Sequence, residues 1–525
     1  MPKKSLEVLL DVSVNRANAV PLHRQVYLGI RRLVLAGQLR PGSRLPSTRQ
    51  LASDLRLSRT TVLDAFEQLI FEGYLQGKIG SGTRVSSRIP HDVQTLASAA
   101  EQNRIPNVRR KPRIARRTAP YPFQQTVTAT PIRPLRPGLP DIASLPLNLW
   151  SRLTAKHWRR AADQLYDHAD SLGYLPLRKA ICDYISRSRA VRSDPNQVII
   201  TTGAQQALYL CAKTLLDPGE SVWMEDPGYP RARAAFKSAQ LSVVPLPVDS
   251  EGLNSAVGPK KRPTPQMIYV TPSFQCPLGY TMTLERRFDL LRVAARNNAW
   301  ILEDDYFSEF RYGTSPVTSL QSLDRNERVI YIGNFSKNVV PFLRIGFLVA
   351  PRPIVHTLKM ARTAVSRQPP GIDQAALAEF IADGHLERHV RLTLQIYRER
   401  HEALVDAIHE YGNGVLTTSS SGVGMYLVAW LPVGVDDRKA ANVAEIAGVS
   451  AVPLSMFSVR RLQRGGLVLG YSAFDPQTIR IAVQRLCKAL TSGRDVSMSS
   501  GNGHLDIRGA QHAGLAYSGS LHGWR

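Results

Sequence analysis

Five short apolar runs between residues 198 and 337 each end in side chains that could do chemistry. Val198-Ile-Ile-Thr-Thr leads into Gly203, Ala204 and Gln205, and Ser221-Val-Trp-Met leads into Glu225-Asp-Pro-Gly-Tyr229. Met267-Ile-Tyr-Val is followed by Thr271-Pro-Ser273, Ala299-Trp-Ile-Leu by Glu303-Asp304-Asp305-Tyr306, and Val329-Ile-Tyr-Ile by Gly333-Asn-Phe-Ser336-Lys337, with Arg344 close behind. A lysine so placed can form a Schiff base with an aldehyde, an acid can pair with a protonated ring nitrogen, and an aromatic ring can stack on a flat one. An arginine beside a helix N-terminus would hold a phosphate. Each residue also has a plainer reading: a solvated loop lysine, a tyrosine packed in a core. Three adjacent acids, Glu303, Asp304 and Asp305, compete for one role.

Helical stretches separate these runs, and that alternation is the pattern of an α/β fold with a mainly parallel sheet covered by helices. Ligands of open α/β sheets bind outside the carboxyl ends of the strands, so the five polar ends should converge on one crevice. Pyridoxal phosphate is a ligand that needs all four kinds of group at once: a lysine, an acid, an aromatic face and a phosphate cradle.

The front of the chain has a different design. Val26, Ile30, Leu33 and Val34 recur at helical spacing between Pro21 and Ala36, with Gly37 as a stop. Ser47, three residues ahead of Gln50, reads as a capping box for a short helix holding Leu51, Ala52 and Leu55. Ser58 caps a third helix whose apolar face is Val62, Ala65, Phe66 and Leu69, ended by Gly73. Arg59, Thr60 and Thr61 open that helix on its polar side, where side chains reach base edges once a helix enters a major groove. Arg44, Ser47, Thr48 and Arg49 surround the start of the second helix and suit a phosphate. Residues Tyr74 to Val85 read as a hairpin with a glycine-rich tip holding Lys78 and Gly80, a wing. Singly, each of these is an ordinary surface residue; together they read as a DNA-binding face.

Charge supports that reading. The 525-residue chain has a formal net charge of +25, and residues 1–90 hold 14 Lys and Arg against 6 Asp and Glu. Such an excess favours a polyanionic partner. The length requires more than one core. Composition changes near Ser86, Gly138 and Ser492 suggest a reader at 1–86, a basic Pro/Arg-rich linker at 87–136, a large domain at 137–491 and a disordered tail at 492–525. Cys182, Cys211, Cys276 and Cys487 are too scattered for a zinc site or a disulfide framework, and no metal is expected. No apolar run is long enough for a bilayer and no signal pattern is seen, so the expected location is the cytoplasm, on the nucleoid, with no membrane partner.

The stretch PLHRQVYLGIRRLVLAGQLRPGSRLPSTRQLASDLRLSRTTVLDAFEQLIFEGYL with GSGTRV resembles the winged helix-turn-helix, an α+β reader, of the GntR family. From PGLPDIASLPLNLW through LGYLPLRKAI, VIITTGAQQAL, EDPGYPRAR, TPSFQCPLG and EDDYFSEF to NFSKNVVPFLRIGF, the rest resembles fold-type-I aminotransferases, and more closely the MocR-type regulators that fuse such a domain to a GntR-like reader. The resemblance implies that Lys337 forms the Schiff base with pyridoxal phosphate, Asp304 meets the pyridine nitrogen, Tyr306 the ring hydroxyl and Tyr229 the ring face. It implies a phosphate site of Gly203, Ala204, Gln205, Ser336 and Arg344, and a homodimer reading two DNA half-sites.

Two departures bear on mechanism. Where aminotransferases place an arginine for the substrate carboxylate, this sequence reads Leu467-Val468-Leu469; Arg231, Arg233 or Arg464 could stand in and contact an effector. Cys276 occupies the position of an asparagine that touches the ring hydroxyl, and Phe274 that of a histidine frequent in the MocR-type group. Two function classes follow: a regulator that senses pyridoxal phosphate and controls vitamin B6 synthesis or a linked amine pathway, or a transaminase with an accessory reader. An intact reader and a missing carboxylate clamp favour the regulator, with γ-aminobutyrate or taurine as alternative effectors.

Overall fold

The computed structural model describes residues 12–78, 82–87, 132–160, 170–257, 263–312, 317–336, 339–366, 370–418 and 422–499. The chain forms two separate units, one ahead of residue 88 and one beyond residue 131. Of the expected linker at 87–136, residues 88–131 lie outside the described residues, as do Gly80 and Lys337, whereas 132–136 belong to the second unit, where Leu135 is part of its core.

In the first unit, helices α1 (Leu22–Leu35), α2 (Thr48–Asp54) and α3 (Arg59–Phe71) bury Val26, Ile30, Leu33, Val62, Ala65, Phe66 and Leu69 in one cluster, the apolar face read from the spacing. Ser58 Oγ accepts from Thr61 N (3.2 Å) and caps α3. Ser47 Oγ accepts from Gln50 N (3.1 Å), but the expected capping box is only half made: Gln50 Nε2 donates forward to Asp54 Oδ1 (3.0 Å). The box needs Gln50 Oε1 to accept from Ser47 N, and the charge-assisted bond to Asp54 draws the amide the other way. Strands β1 (Leu75–Lys78) and β2 (Gly82–Val85) pair antiparallel as the wing. The segment 42–45 adds to its edge, through Leu45 N to Thr83 O and Val85 N to Ser43 O (both 2.9 Å).

The second unit is built on an eight-stranded sheet. In chain order its strands are β3 (Val198–Thr201), β4 (Ser221–Asp226), β5 (Ser242–Asp249), β6 (Gly252–Leu253), β7 (Met267–Val270), β8 (Trp300–Asp305), β9 (Val329–Asn334) and β10 (Gly346–Val349). Their spatial order is β3-β10-β9-β8-β7-β4-β5-β6. Strands β9, β8, β7, β4 and β5 run parallel, whereas β10 runs against both its neighbours. Both faces are covered, so β3, β4, β7 and β10 are buried at every position, which is why they read as unbroken apolar runs rather than alternating ones.

A second, antiparallel sheet follows: β11 (Thr417–Thr418), β12 (Tyr426–Trp430), β13 (Val452–Pro453) and β14 (Gly466–Gly470), in the order β11-β12-β14-β13. The helices His385–Tyr411, Asp437–Ile446 and Pro476–Ser499 pack with it around a core that includes Leu404, Met425, Leu467 and Leu486. The chain enters this sheet's edge directly: Gly470 N donates to Leu135 O (2.8 Å) and Ser450 N to Pro134 O (2.9 Å). The last helix runs to Ser499, past the tail boundary read at 492, because a backbone ladder continues without the apolar period on which that boundary rested. Among the described residues no helix is long and apolar enough to cross a membrane.

The caps of the reader give the first test. Ser58→Ala should lower the stability of the first unit by about 1 kcal/mol, read by amide hydrogen exchange in α1 and α3. All six tryptophans (150, 158, 223, 300, 430 and 524) lie beyond the reader, and the unfolding they report should be unchanged.

Candidate functional site

The carboxyl ends of β3, β4, β7, β8 and β9 bring their polar residues to one side of the large sheet. On β8, side chains alternate between faces, and this separates the three competing acids. Glu303 accepts from Leu320 N (2.7 Å) and Gln321 N (2.8 Å) at the start of the helix Leu320–Leu323. Asp305 Oδ2 accepts from Arg189 Nε (3.1 Å) and Tyr331 Oη (2.6 Å), a buried pair extended by Ser308 and Glu309. Asp304 faces the other way, toward Tyr229, Tyr269 and Cys276.

Asp304 is 3% exposed. Its Oδ2 accepts from Tyr269 Oη (2.8 Å), while Oδ1 is buried without a hydrogen-bond partner among the described residues. Burial pushes its carboxyl up to about 7, opposed by the Tyr269 hydrogen bond. Glu225, deeper on β4, is also pushed up to about 7 by burial, although Thr271 Oγ1 (2.6 Å) and Thr271 N (3.1 Å) donate to it. A buried acceptor left open in such a place is a strong demand for a donor, most of all a cationic one.

The opposite wall is a cradle. Gly203 caps the helix Ala204–Leu215 at φ +106, and a Cβ built on it would stand 3.7 Å from Arg344 Nη2. A Cβ on Gly346 would come within 2.8 Å of Gly203 Cα, so two glycines let β3 and β10 close up beneath the helix start. Arg344 itself has φ +54, a left-handed conformation that costs any residue with a Cβ energy and occurs disproportionately at working sites. Gln205 Nε2 donates to Arg231 O (3.0 Å) and its Oε1 is buried without a partner. Ser336 is half-buried just past β9.

Tyr229 begins the helix Pro230–Ser238; its hydroxyl is raised first by burial and then by the charge of Asp304, with Arg231 and Arg344 acting the other way. Tyr306 lies within 3.0 Å of Tyr426 Oη and in an aromatic cluster with Phe274 and Phe307. Of the arginines suggested as a substitute clamp, Arg233 donates to the carbonyls of Phe457 (3.4 Å) and Met456 (3.2 Å), and Arg464 to Leu431 O (2.5 Å) and Thr417 Oγ1 (2.9 Å). Both are fastened to the C-terminal sheet and its turns. Arg231 is exposed. Val468 is buried in β14 opposite Val428 and Val452, so no charged fork is offered there.

Tyr269, Glu225 and Tyr426 were not singled out by sequence reasoning. Tyr269 and Tyr426 sit inside apolar runs, where a tyrosine is indistinguishable from core, and Glu225 was one polar letter at a strand end. The residues present fit pyridoxal phosphate. An open carboxylate oxygen lies where a ring nitrogen would seek one, and a glycine-floored helix start with an arginine is shaped for a phosphate.

On the reader, Arg59 and Thr60 at the start of α3 are exposed, and Thr61 Oγ1 lies 2.7 Å from Ser58 Oγ. Arg44 and Arg49 are exposed, Thr48 is half-buried and Ser47 holds the α2 cap. Arg44 packs on the wing: a Cβ on Gly82 would lie 3.1 Å from its Nε. Lys78 ends β1, in register with Gly82. Among the described residues no group of His, Cys, Asp and Glu could hold a metal ion.

Residues 22–85 match the family of bacterial regulatory proteins, gntR family, and residues 144–486 match aminotransferase class I and II. The chain is 38% identical to the probable rhizopine catabolism regulatory protein MocR of Rhizobium meliloti, over 91% of this chain and 95% of that one. It is 30% identical to the pyridoxine biosynthesis transcriptional regulator PdxR of Corynebacterium glutamicum, over 92% and 99%. The crystal structure of a Pyrococcus horikoshii kynurenine aminotransferase, solved with PMP, superimposes with a TM-score of 0.65 at 27% identity, covering 69% of this chain and 92% of that one.

The buried acids give a pH test. Because burial raises Asp304 above its unfolded value, its contribution to stability is complete below about pH 4 and is lost as pH rises through about 7. Relative to wild type without added ligand, Asp304→Asn should therefore gain stability between pH 4 and 7, by the linkage of one proton, in tryptophan-detected unfolding. Parallel curves would contradict the assignment.

Proposed function

Because this chain belongs to the MocR-type group of gntR-family transcriptional regulators, a DNA reader joined to an aminotransferase-like domain, we propose that its crevice binds pyridoxal phosphate and uses it as a signal. The observation that carries this reading is the buried Oδ1 of Asp304, unpartnered among the described residues, with Tyr229 feeling both the charge of Asp304 and that of Arg344 beside Gly203. When bound, pyridoxal phosphate supplies an aldehyde that condenses with amines and a ring that draws off electrons. Asp304 would accept from the ring nitrogen, and its ionisation would be restored by that cation. Tyr306 would donate to the ring hydroxyl and Tyr229 would cover the ring face. The N–H groups following Gly203, with Gln205, Ser336 and Arg344, would hold the phosphate. Lys337 would make the covalent attachment.

The same geometry favours regulation over turnover. A bidentate arginine contact fixes an amino acid's carboxylate, and the buried Val468 offers none. Pyridoxal phosphate itself is the leading effector, with control of vitamin B6 synthesis as the output; the likeness to a pyridoxine biosynthesis regulator supports it. An amine reaching Arg231 is the alternative. The active form is a homodimer, whose two readers bind paired half-sites, with Arg59, Thr60 and Thr61 toward the bases and Arg44, Ser47, Thr48, Arg49, Ser58, Lys78 and Gly80 toward the backbone.

Two experiments test this. Lys337→Ala should abolish the visible absorbance that appears on adding pyridoxal phosphate and remove the cofactor-induced change in operator affinity, while the reader stays folded. Loss of the absorbance with a wild-type change in affinity would rule out covalent sensing. On the reader, Arg59→Ala should relax discrimination at one base pair by about 1–3 kcal/mol, whereas Lys78→Ala should weaken all sequences alike and lower the salt slope by about 1; footprinting across a salt series separates the two.

A further inference from the structure

The ring-hydroxyl end of the crevice is built from both sheets. Tyr306 follows β8 and Cys276 follows β7, but Tyr426 belongs to β12 of the C-terminal sheet. Its hydroxyl lies 3.0 Å from Tyr306 Oη and 3.7 Å from Cys276 Sγ, and Cys276 also hydrogen-bonds to Tyr306, so the three polar groups form a closed ring in an otherwise aromatic and apolar setting of Phe274 and Phe307. Either tyrosine can donate to the other. With Tyr426 donating to Cys276 Sγ, Tyr306 donates to Tyr426 and offers no proton to the crevice. If an anionic oxygen arrives in front of Tyr306, the order reverses: Tyr306 donates outward, Tyr426 donates to Tyr306, and the Cys276 thiol donates to Tyr426. No proton leaves the three groups. Burial keeps the thiol protonated, pushed up to about 12, so it can serve as that last donor.

The far side of Tyr426 is equally particular. It stands in register with Gly470 of β14. Gly470 N donates to Leu135 O (2.8 Å), and a Cβ on Gly470 would fall 2.3 Å from Arg136 O, so the incoming chain lies flush on that residue. Arg133 is held beside it by Glu445, at 2.7 Å to the carboxylate. Residues 132–136 are the first described part of this unit and follow the stretch that leads from the reader.

We propose that Tyr426 is a positioning residue of the crevice, which couples the ring oxygen of the bound ligand, through Tyr306 and Cys276, to the strand pair that holds the incoming chain at Leu135 and Arg136. The proposal rests on the reading that pyridoxal phosphate binds with its hydroxyl at Tyr306. A ligand biases such an element only if it favours one of its two arrangements, and an anionic oxygen favours the outward-donating one. The other ionisable groups facing these three are Glu225, Asp304, Tyr229, Tyr269 and Tyr471, none of which hydrogen-bonds to them among the described residues.

The test is a pH titration of the visible absorbance of the full-length protein saturated with pyridoxal phosphate. Tyr426→Phe keeps the ring packing and Lys337, so the band should persist. Its midpoint should move up by about one unit, because the ring oxygen loses a reinforced donor. The cofactor-induced change in operator affinity should fall toward a factor of one. Cys276→Ala should shift the midpoint the same way by less, and Cys276→Ser, which retains a donor, should titrate as wild type. If wild type shows no band, the binding reading fails and this inference with it. If wild type shows the band and Tyr426→Phe and Cys276→Ala both superimpose on it, the inference is wrong and the binding reading stands.

Discussion

A carboxylate with one satisfied oxygen and one open oxygen, both removed from water, is the constraint around which the second unit is arranged. Asp304 could be made comfortable within the protein alone, by a second tyrosine or a backbone amide, as Glu303 is by the amides of Leu320 and Gln321. It is not, and the cost is a proton held up to about 7. As an anion such a group needs a donor on its open oxygen; without one it keeps its proton. The surrounding burial keeps that oxygen dry, and the Tyr269 hydrogen bond holds the carboxyl in place.

Glycines and charges divide the remaining labour. Gly203 and Gly346 let two strands approach closely enough for a helix start and an arginine to share one small volume. On the reverse face of β8, the Arg189, Asp305 and Tyr331 network locks the strand that presents Asp304. Removing one member of such a network would strand the others in the interior. The reader shows the same economy at smaller scale, with Ser47 and Ser58 fixing the starts of the two helices that carry its exposed arginines.

Much of this was legible in the sequence, for physical reasons that can be named. Strands buried on both faces must be apolar throughout, so the five runs marked themselves, and the polar letters after Thr201, Met224, Val270, Leu302 and Ile332 marked the crevice. What periodicity could not do was choose among Glu303, Asp304 and Asp305, since that choice depends on which face of β8 meets which helix. Nor could it separate Tyr269 and Tyr426 from core tyrosines, because their hydroxyls matter only through partners 35 and 120 residues away. The reciprocal half of the Ser47 capping box failed for a related reason: Asp54, a competitor at helical spacing, lay outside the motif.

One strand of the large sheet runs backwards. Strand β10 opposes both β3 and β9, so its amino end lies where its neighbours have their carboxyl ends. A parallel strand in that slot would need a long crossover and would begin on the far side of the sheet, about 13 Å off across four residues. Instead β9 and β10 are joined as a simple hairpin, and Arg344 stands at its far end, just ahead of β10. A lengthening of that connection would displace Arg344, whereas Asp304 on β8 would stay in place. The two charged groups are thus mechanically independent, one rooted in the sheet and one carried on the link between two strands.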